Sequence, residues 1–226
     1  MAMPRWHIYP TRDELEAHAA VAIARAGQQA IAARGRFTIV LTGGETPRGV
    51  YRRLAAEAAD WERWHIYFGD ERCRPVGDAE RNDQMARDAW LDRVSIPAAQ
   101  IHSIPGDMGA AEAAGRYAAV LRGVDRFDLV LLGLGEDGHV ASLFPGHPTD
   151  GAEVLAVFDA PKPPPERVSL SASRLSRARQ VLFLVSGQAK QPAVNAWRRG
   201  DPIPAGQIAP ADGVDVLLDV AAWVSS

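Results

Sequence analysis

The sequence predicts an α/β protein: a mainly parallel sheet with helices on both faces, in a Rossmann-like three-layer architecture. Three observations carry that expectation. Short β-rich runs alternate with longer helical ones through most of the chain, which is how parallel strands joined by helical crossovers read. Four of the strand runs end in a glycine-containing turn with polar or charged residues, the pattern of loops at the carboxyl edge of an open sheet. Apolar residues make up 47% of the 226. That is enough for a sizeable core, and no long polar linker divides it, so residues 1–226 are expected to form one domain.

Taken in order, Glu14–Ala33 is alanine-rich and repeats apolar residues at helical spacing (Leu15, Ala19, Ile23, Ala26, Ala30), predicting a helix closed near Gly35. Phe37–Leu41, FTIVL, is a strand. Pro47 fits the first turn of a helix running through Leu54 to about Ala58. Trp64–Phe68 is the next strand, and Asn82–Leu91 is helical before Ile96-Pro97 breaks the pattern. Ile101–Ile104 is a minor strand candidate, Ala110–Leu121 a helix, and Phe127–Leu132 the third main strand. Pro161–Pro165, PKPPP, is stiff and excludes helix. Val168–Leu170 begins a short strand with Arg167 at its entrance, and Gln180–Val185 is another. Ser186-Gly187 opens a helix that carries Lys190 and runs to Arg199; Pro202–Pro210 is loop and Val214–Leu218 a final strand.

The net charge of −3 gives no global field toward nucleic acid or an anionic membrane. Any anion site has to be a local focus of cations and backbone N–H groups. Cys73 is the sole cysteine, which excludes an internal disulfide and suits a reducing compartment. The amino-terminal MAMPRWHIYPTRDE has no apolar signal core, and no run approaches the roughly 18 apolar residues of a membrane span. The expectation is a cytoplasmic protein, a monomer or weak homodimer, with no nucleic-acid or membrane partner. No HExxH, cysteine pair or histidine cluster marks a metal site, and the Thr42–Pro47 turn is neither a Walker loop nor a GxGxxG nucleotide turn.

The densest chemical stretch is Leu131–Pro148, LLGLGEDGHVASLFPGHP. Histidine exchanges a proton near neutral pH. Gly138 permits a turn that directs Asp137 and His139 toward one cavity, where the carboxylate would orient the ring. The plainer alternative is a structural histidine capping a helix that starts near Val140; position and company favour chemistry. His147, after Pro145-Gly146, reads as structural or rim.

Three further segments follow strands. In Thr42-Gly43-Gly44-Glu45-Thr46-Pro47 the glycines let backbone approach a ligand, and the helix start offers N–H groups to a phosphate. A tight turn with Thr46 as helix cap explains the same residues. Gly69-Asp70-Glu71-Arg72 puts a carboxylate where α/β proteins bind ligands, beside an arginine able to grip a phosphate with two N–H groups. A solvated charge run before Pro75 is the other reading. In Ser186-Gly187-Gln188-Ala189-Lys190 the lysine falls one turn into the predicted helix, as a phosphate ligand or as a solvated helix residue. Parallel strands share one carboxyl edge, so all four segments can converge.

Together these segments resemble the glucosamine-6-phosphate isomerase/6-phosphogluconolactonase family. The matching stretches are LTGGETPRGVY (41–51), FGDERCRP (68–75) with Arg81-Asn82 after it, FDLVLLGLGEDGHVASLFPGHP (127–148), PKPPPERVSLS (161–171) and SGQAK (186–190). They cover most of residues 41–190 in family order, and the proline stretch with its following strand favours the lactonase branch. The resemblance implies a sugar phosphate lactone as substrate and the oxidative pentose phosphate pathway. It implies Gly43, Gly44, Thr46, Arg72 and Lys190 around the phosphate, His139 as the proton-transfer residue with Asp70 and Asp137 nearby, and Arg167 at the substrate rim. Glu45 stands where the family often has a small hydroxyl residue, and repulsion from a phosphate requires its side chain to turn away.

The deaminase branch typically carries a glutamate five residues after the histidine, an acid that assists ring opening. Phe144 occupies that position here and cannot carry a proton. Lactone hydrolysis needs an activated water, a stabilised carbonyl oxygen and a proton for the leaving ring oxygen, with no metal or organic cofactor. An isomerase or deaminase using Asp70 as base, and a non-catalytic sugar-phosphate sensor, remain the alternatives.

Overall fold

The computed structural model describes residues 4–223. Along the chain come β1 (Arg5–Tyr9), α1 (Arg12–Arg34), β2 (Phe37–Leu41), α2 (Glu45–Leu54), β3 (Trp64–Phe68), β4 (Asp70–Arg72), α3 (Asn82–Ala89) and α4 (Ala110–Leu121). Then follow β5 (Phe127–Leu132), β6 (Val154–Val157), β7 (Arg167–Leu170), α5 (Ala172–Ser176), β8 (Ala178–Val185), α6 (Gln191–Arg199) and β9 (Asp215–Asp219). Six strands form one parallel sheet in the order β1-β9-β8-β5-β2-β3. β4, β7 and β6 make a separate antiparallel sheet.

Helices cover both faces of the large sheet, as the alternation predicts. α1, α2 and α3 pack together on one face. Gly27 lets α1 close onto the sheet: a Cβ there would stand 2.6 Å from the indole of Trp64. On the other face Trp197 of α6 packs edge-on against Phe183 of β8 and Trp6 of β1, with centroids 4.7 and 5.4 Å away. Helix α1 starts earlier than its apolar spacing suggested because the Thr11 hydroxyl caps it, accepting from the Glu14 N–H at 3.2 Å. It ends at Gly35, whose φ of 74° is the left-handed closure glycine favours.

Several departures from the sequence-based expectation have physical causes. β1 is a strand to which the sequence reading assigns no element; Arg5 grips Asp215 of β9 with two N–H groups at 2.8 and 2.7 Å. β4 consists of Asp, Glu and Arg, residues of low strand propensity, and exists through its pairing with β7. Val168–Leu170 is extended as expected but belongs to the small sheet. The expected strand at Ile101–Ile104 reduces to one bridge, Ile66 to Ile101. No helix begins near Val140; the chain makes a tight turn in which Val140 bridges Leu143.

The order of the strands fixes where loops separate. From β2 the chain winds to β3 on one side, whereas from β5 it winds through β8 to β9 on the other. β2 and β5 are neighbours, so the loops leaving their carboxyl ends part and open a crevice. The ladder between them is short, pairing Ile39 with Leu129 and Val40 with Val130. Asp128 lengthens it with side-chain bonds. Its carboxylate accepts from the Thr38 N–H at 2.9 Å, the Thr38 hydroxyl at 3.0 Å and Arg34 Nε at 2.9 Å, while the Asp128 N–H donates to the Thr38 hydroxyl at 3.0 Å. Asp128→Ala leaves the buried Thr38 N–H and hydroxyl without that acceptor and should cost about 2–3 kcal/mol, read as a lower urea midpoint with unchanged slope.

Candidate active site

The loop after β2 is pinned by a buried phenol. The Tyr51 hydroxyl accepts from the Thr42 N–H at 3.0 Å and donates to the Thr42 carbonyl at 2.9 Å. The N-cap of α2 is Gly44, at φ 109°, and no side chain caps the helix. Thr46 is therefore not the cap, and the first N–H groups of α2 are left for an anion. Glu45 pairs with Arg48 at 3.0 Å and its side chain is two-thirds exposed, 67%, so its carboxylate is engaged and solvated. Gly43 lies directly under Asn82; a Cβ there would come within 2.0 Å of the Asn82 side-chain oxygen.

The loop after β3 is held the same way. The Tyr117 hydroxyl accepts from the Phe68 N–H at 2.8 Å and donates to the Phe68 carbonyl at 3.1 Å. The Asp70 carboxylate accepts from the Asn82 amide at 3.1 Å and the Ser142 hydroxyl at 2.7 Å. Buried Glu71 takes the N–H groups of Arg72, Asn82 and Asp83 at 2.8, 2.7 and 2.9 Å. Burial raises the Glu71 carboxyl and those bonds oppose it. Arg72 Nη1 donates to the Glu80 carbonyl, whereas its buried Nε has no partner among the described residues.

The loop after β5 presents the histidine. Gly135 N–H donates to the His139 carbonyl at 2.8 Å and Gly138 N–H to the Gly135 carbonyl at 3.1 Å. Gly138 has φ 83°, and a Cβ there would strike Ile203 at 2.8 Å. His139 Nδ1 lies 2.5 Å from Asp137 Oδ1. Burial would raise the Asp137 carboxyl, but its bonds with His139 outweigh that and hold it low. A carboxylate so held accepts only, which puts the ring proton on Nδ1 and leaves Nε2 with its lone pair. Burial lowers the imidazole below its ordinary value; Asp137 and Asp70 pull it up, and Lys162 adds to the lowering. Phe144 is fully buried and packs on the ring at 4.7 Å.

After β8, Asp219 accepts from the Ser186 hydroxyl at 2.5 Å and the Gly187 N–H at 3.0 Å. Lys190 does not lie inside a helix. It closes a short 3-10 turn, Gln188–Lys190, and stands at the N-cap of α6. Burial lowers its ammonium against Glu136 and Asp137, and Lys162 lowers it further.

These four loops meet around a cavity of about 470 Å³, lined by Gly43, Gly44, Thr46, Asp70, Arg72, His139, Arg167 and Lys190 among others. Asp137 stands behind His139 and does not line it. Arg167 reaches the wall, but its guanidinium is largely committed to protein. Nε donates to the Pro164 carbonyl at 3.0 Å, and Nη2 to those of Lys162 and Pro163 at 2.9 and 3.0 Å. Arg12, Asn82 and Lys162 also line the cavity. Arg12 falls before the start of the helix as the sequence reads it and belongs to no motif, and Lys162 lies in a stretch whose prolines dominate its appearance. Arg12, Arg72, Lys162, Arg167 and Lys190 give this crevice an excess of positive charge that the whole chain lacks. A second cavity, about 460 Å³, lies between α1 and the amino ends of β5, β8 and β9, away from these loops. Among the described residues, no helix is long and apolar enough to cross a membrane, and no group of three or more His, Cys, Asp or Glu could hold a metal.

Comparison with known proteins gives a consistent result. Residues 10–217 match the model of a family described as glucosamine-6-phosphate isomerases/6-phosphogluconolactonase. The chain is 40% identical over 208 residues to 6-phosphogluconolactonase of Mycobacterium leprae (strain TN), covering 84% of each chain. It is 41% identical over 184 residues to that of Synechocystis sp., covering 74% of this chain and 73% of the relative. The crystal structure of 6-phosphogluconolactonase from Thermotoga maritima superposes with a TM-score of 0.89 at 27% identity, over 95% of this chain and 100% of that one.

The histidine geometry is testable by titration. Followed by NMR, the His139 ring should protonate below the ordinary value of about 6.5. Asp137→Asn removes a negative neighbour that favours imidazolium, so the midpoint should move lower still; a rise would contradict the assigned geometry.

Proposed function

The chain belongs to the glucosamine-6-phosphate isomerase/6-phosphogluconolactonase family, and on that premise we propose that it hydrolyses 6-phospho-D-glucono-1,5-lactone to 6-phosphogluconate, with His139 as general base. The supporting observation is a neutral imidazole, fixed through Nδ1 to Asp137 and set in a cationic crevice. This places the reaction in the oxidative pentose phosphate pathway.

The N–H groups opening α2, with Thr46, Arg72 and Lys190, take the phosphate dianion. Binding there is remote from the reacting carbon and serves to orient it. His139 Nε2 takes a proton from water as the water oxygen bonds to C1. The carbonyl pair moves onto its oxygen, giving a tetrahedral anion. Collapse breaks the bond from C1 to the ring oxygen, which recovers the proton from the imidazolium. The new carboxylic acid then ionises. Asp137 holds the tautomer and stabilises the transient imidazolium. Asp70, already accepting from Asn82 and Ser142, supports the site electrostatically and fastens it.

Phe144 argues against isomerase or deaminase chemistry. Its ring packs beneath His139, where ring opening in an amino sugar would need an acid. Incubation with glucosamine 6-phosphate should release no ammonia.

His139→Asn should lower lactone hydrolysis by about 10²–10⁴-fold after subtraction of spontaneous opening; near wild-type turnover would remove His139 from the mechanism. Ligand binding without any turnover in the native chain would favour a sensor. Arg72→Ala and Lys190→Ala should each raise KM about tenfold, and leave hydrolysis of the unphosphorylated lactone little changed.

A further inference from the structure

We propose that Lys162 supplies the positive charge that meets the oxyanion formed at C1, and that Arg167 acts through it as a positioning residue. The inference rests on the lactonase reading above and assigns an otherwise unplaced part of that site.

The starting observation is an odd use of a buried guanidinium. Arg167 is only 5% exposed, yet its donors go to three successive carbonyls of a surface loop, those of Lys162, Pro163 and Pro164. The segment is tied down elsewhere as well. Ala160 N–H donates to the Pro165 carbonyl and Cys73 N–H to the Glu166 carbonyl, both at 3.0 Å. The Ala110 N–H donates to the Glu166 carboxylate at 2.8 Å. Prolines add stiffness of their own. A loop so heavily fastened holds something in place, and the one ionisable side chain it sends to the cavity wall is Lys162.

Lys162 has no ion pair and no side-chain hydrogen bond among the described residues. Lys162 lines the same cavity wall as His139 and Lys190, and its charge lowers both of those groups. The other charged groups acting on the imidazole are Asp137 and Asp70, both anions and unsuited to an oxyanion. As the water oxygen bonds to C1 the carbonyl electron pair becomes an alkoxide, and a cation already in position lowers that step without reorganising. When the bond from C1 to the ring oxygen breaks, the carbonyl is restored and the charge disperses.

The test is Lys162→Met, with Lys162→Arg as the conservative control, on both 6-phosphogluconolactone and unphosphorylated gluconolactone. Lys162→Met should lower kcat about 10²-fold with either lactone, with KM changed by less than about threefold. Without the cation imidazolium is less repelled, so the acid limb of the kcat/KM profile should move to higher pH. Lys162→Arg should recover much of kcat. Arg167→Lys should reproduce the shift of the acid limb with a smaller loss of kcat. A loss confined to the phosphorylated substrate and expressed in KM would reassign Lys162 to the phosphate. Wild-type kinetics with an unmoved acid limb would remove it from the site. Either result beside an inactive His139→Asn variant leaves the lactonase reading standing; an active His139→Asn variant strikes at that reading instead.

Discussion

Two neighbouring strands, β2 and β5, send the chain in opposite directions, and the rest of the molecule is arranged around that divergence. At their carboxyl ends it leaves a crevice between the loops. At their amino ends it leaves a short ladder, which Asp128 and Thr38 extend with side-chain bonds. The pair is thus laced at one end and open at the other. Both loops that emerge from it, one starting at Thr42 and one at Gly133, bear on the same cavity.

Loops that leave a sheet lose the ladder that satisfied their backbone. Here buried side chains replace it. Tyr51 and Tyr117 each bond the N–H and carbonyl of one residue where a strand ends, and Asp219 does comparable work for Ser186 and Gly187. Burial raises both phenols strongly, so they remain neutral donors and acceptors. Fixed loops hold their charges in register before substrate arrives, which is what makes electrostatic stabilisation effective.

Much of this could be read from the residues alone. FTIVL, WHIYF and FDLVLL form strands with the expected bounds, because buried parallel strands read as continuous apolar runs. The four polar turns converge because parallel strands end on one edge. What escaped reading depends on partners distant in sequence. β1 needs Asp215, and the three charged residues of β4 need β7. Arg12 reaches the cavity from a helix that carries no motif. Asn82, inside a quoted motif, shows its importance only when Gly43 and Asp70 are seen on either side of it. Arg167 looks like a ligand in sequence because nothing local shows that its donors are taken by the loop before it.

The packing of Asn82 over Gly43 couples the loop after β2 to the Asp70 side of the crevice. An alanine at 43 would need to displace the Asn82 amide, and that amide is one of the two donors steadying Asp70. Damage on the anion side of the crevice would therefore surface on the acid side. Neither position is free to drift alone, and any change tolerated at one has to be matched by a smaller or repositioned side chain at the other.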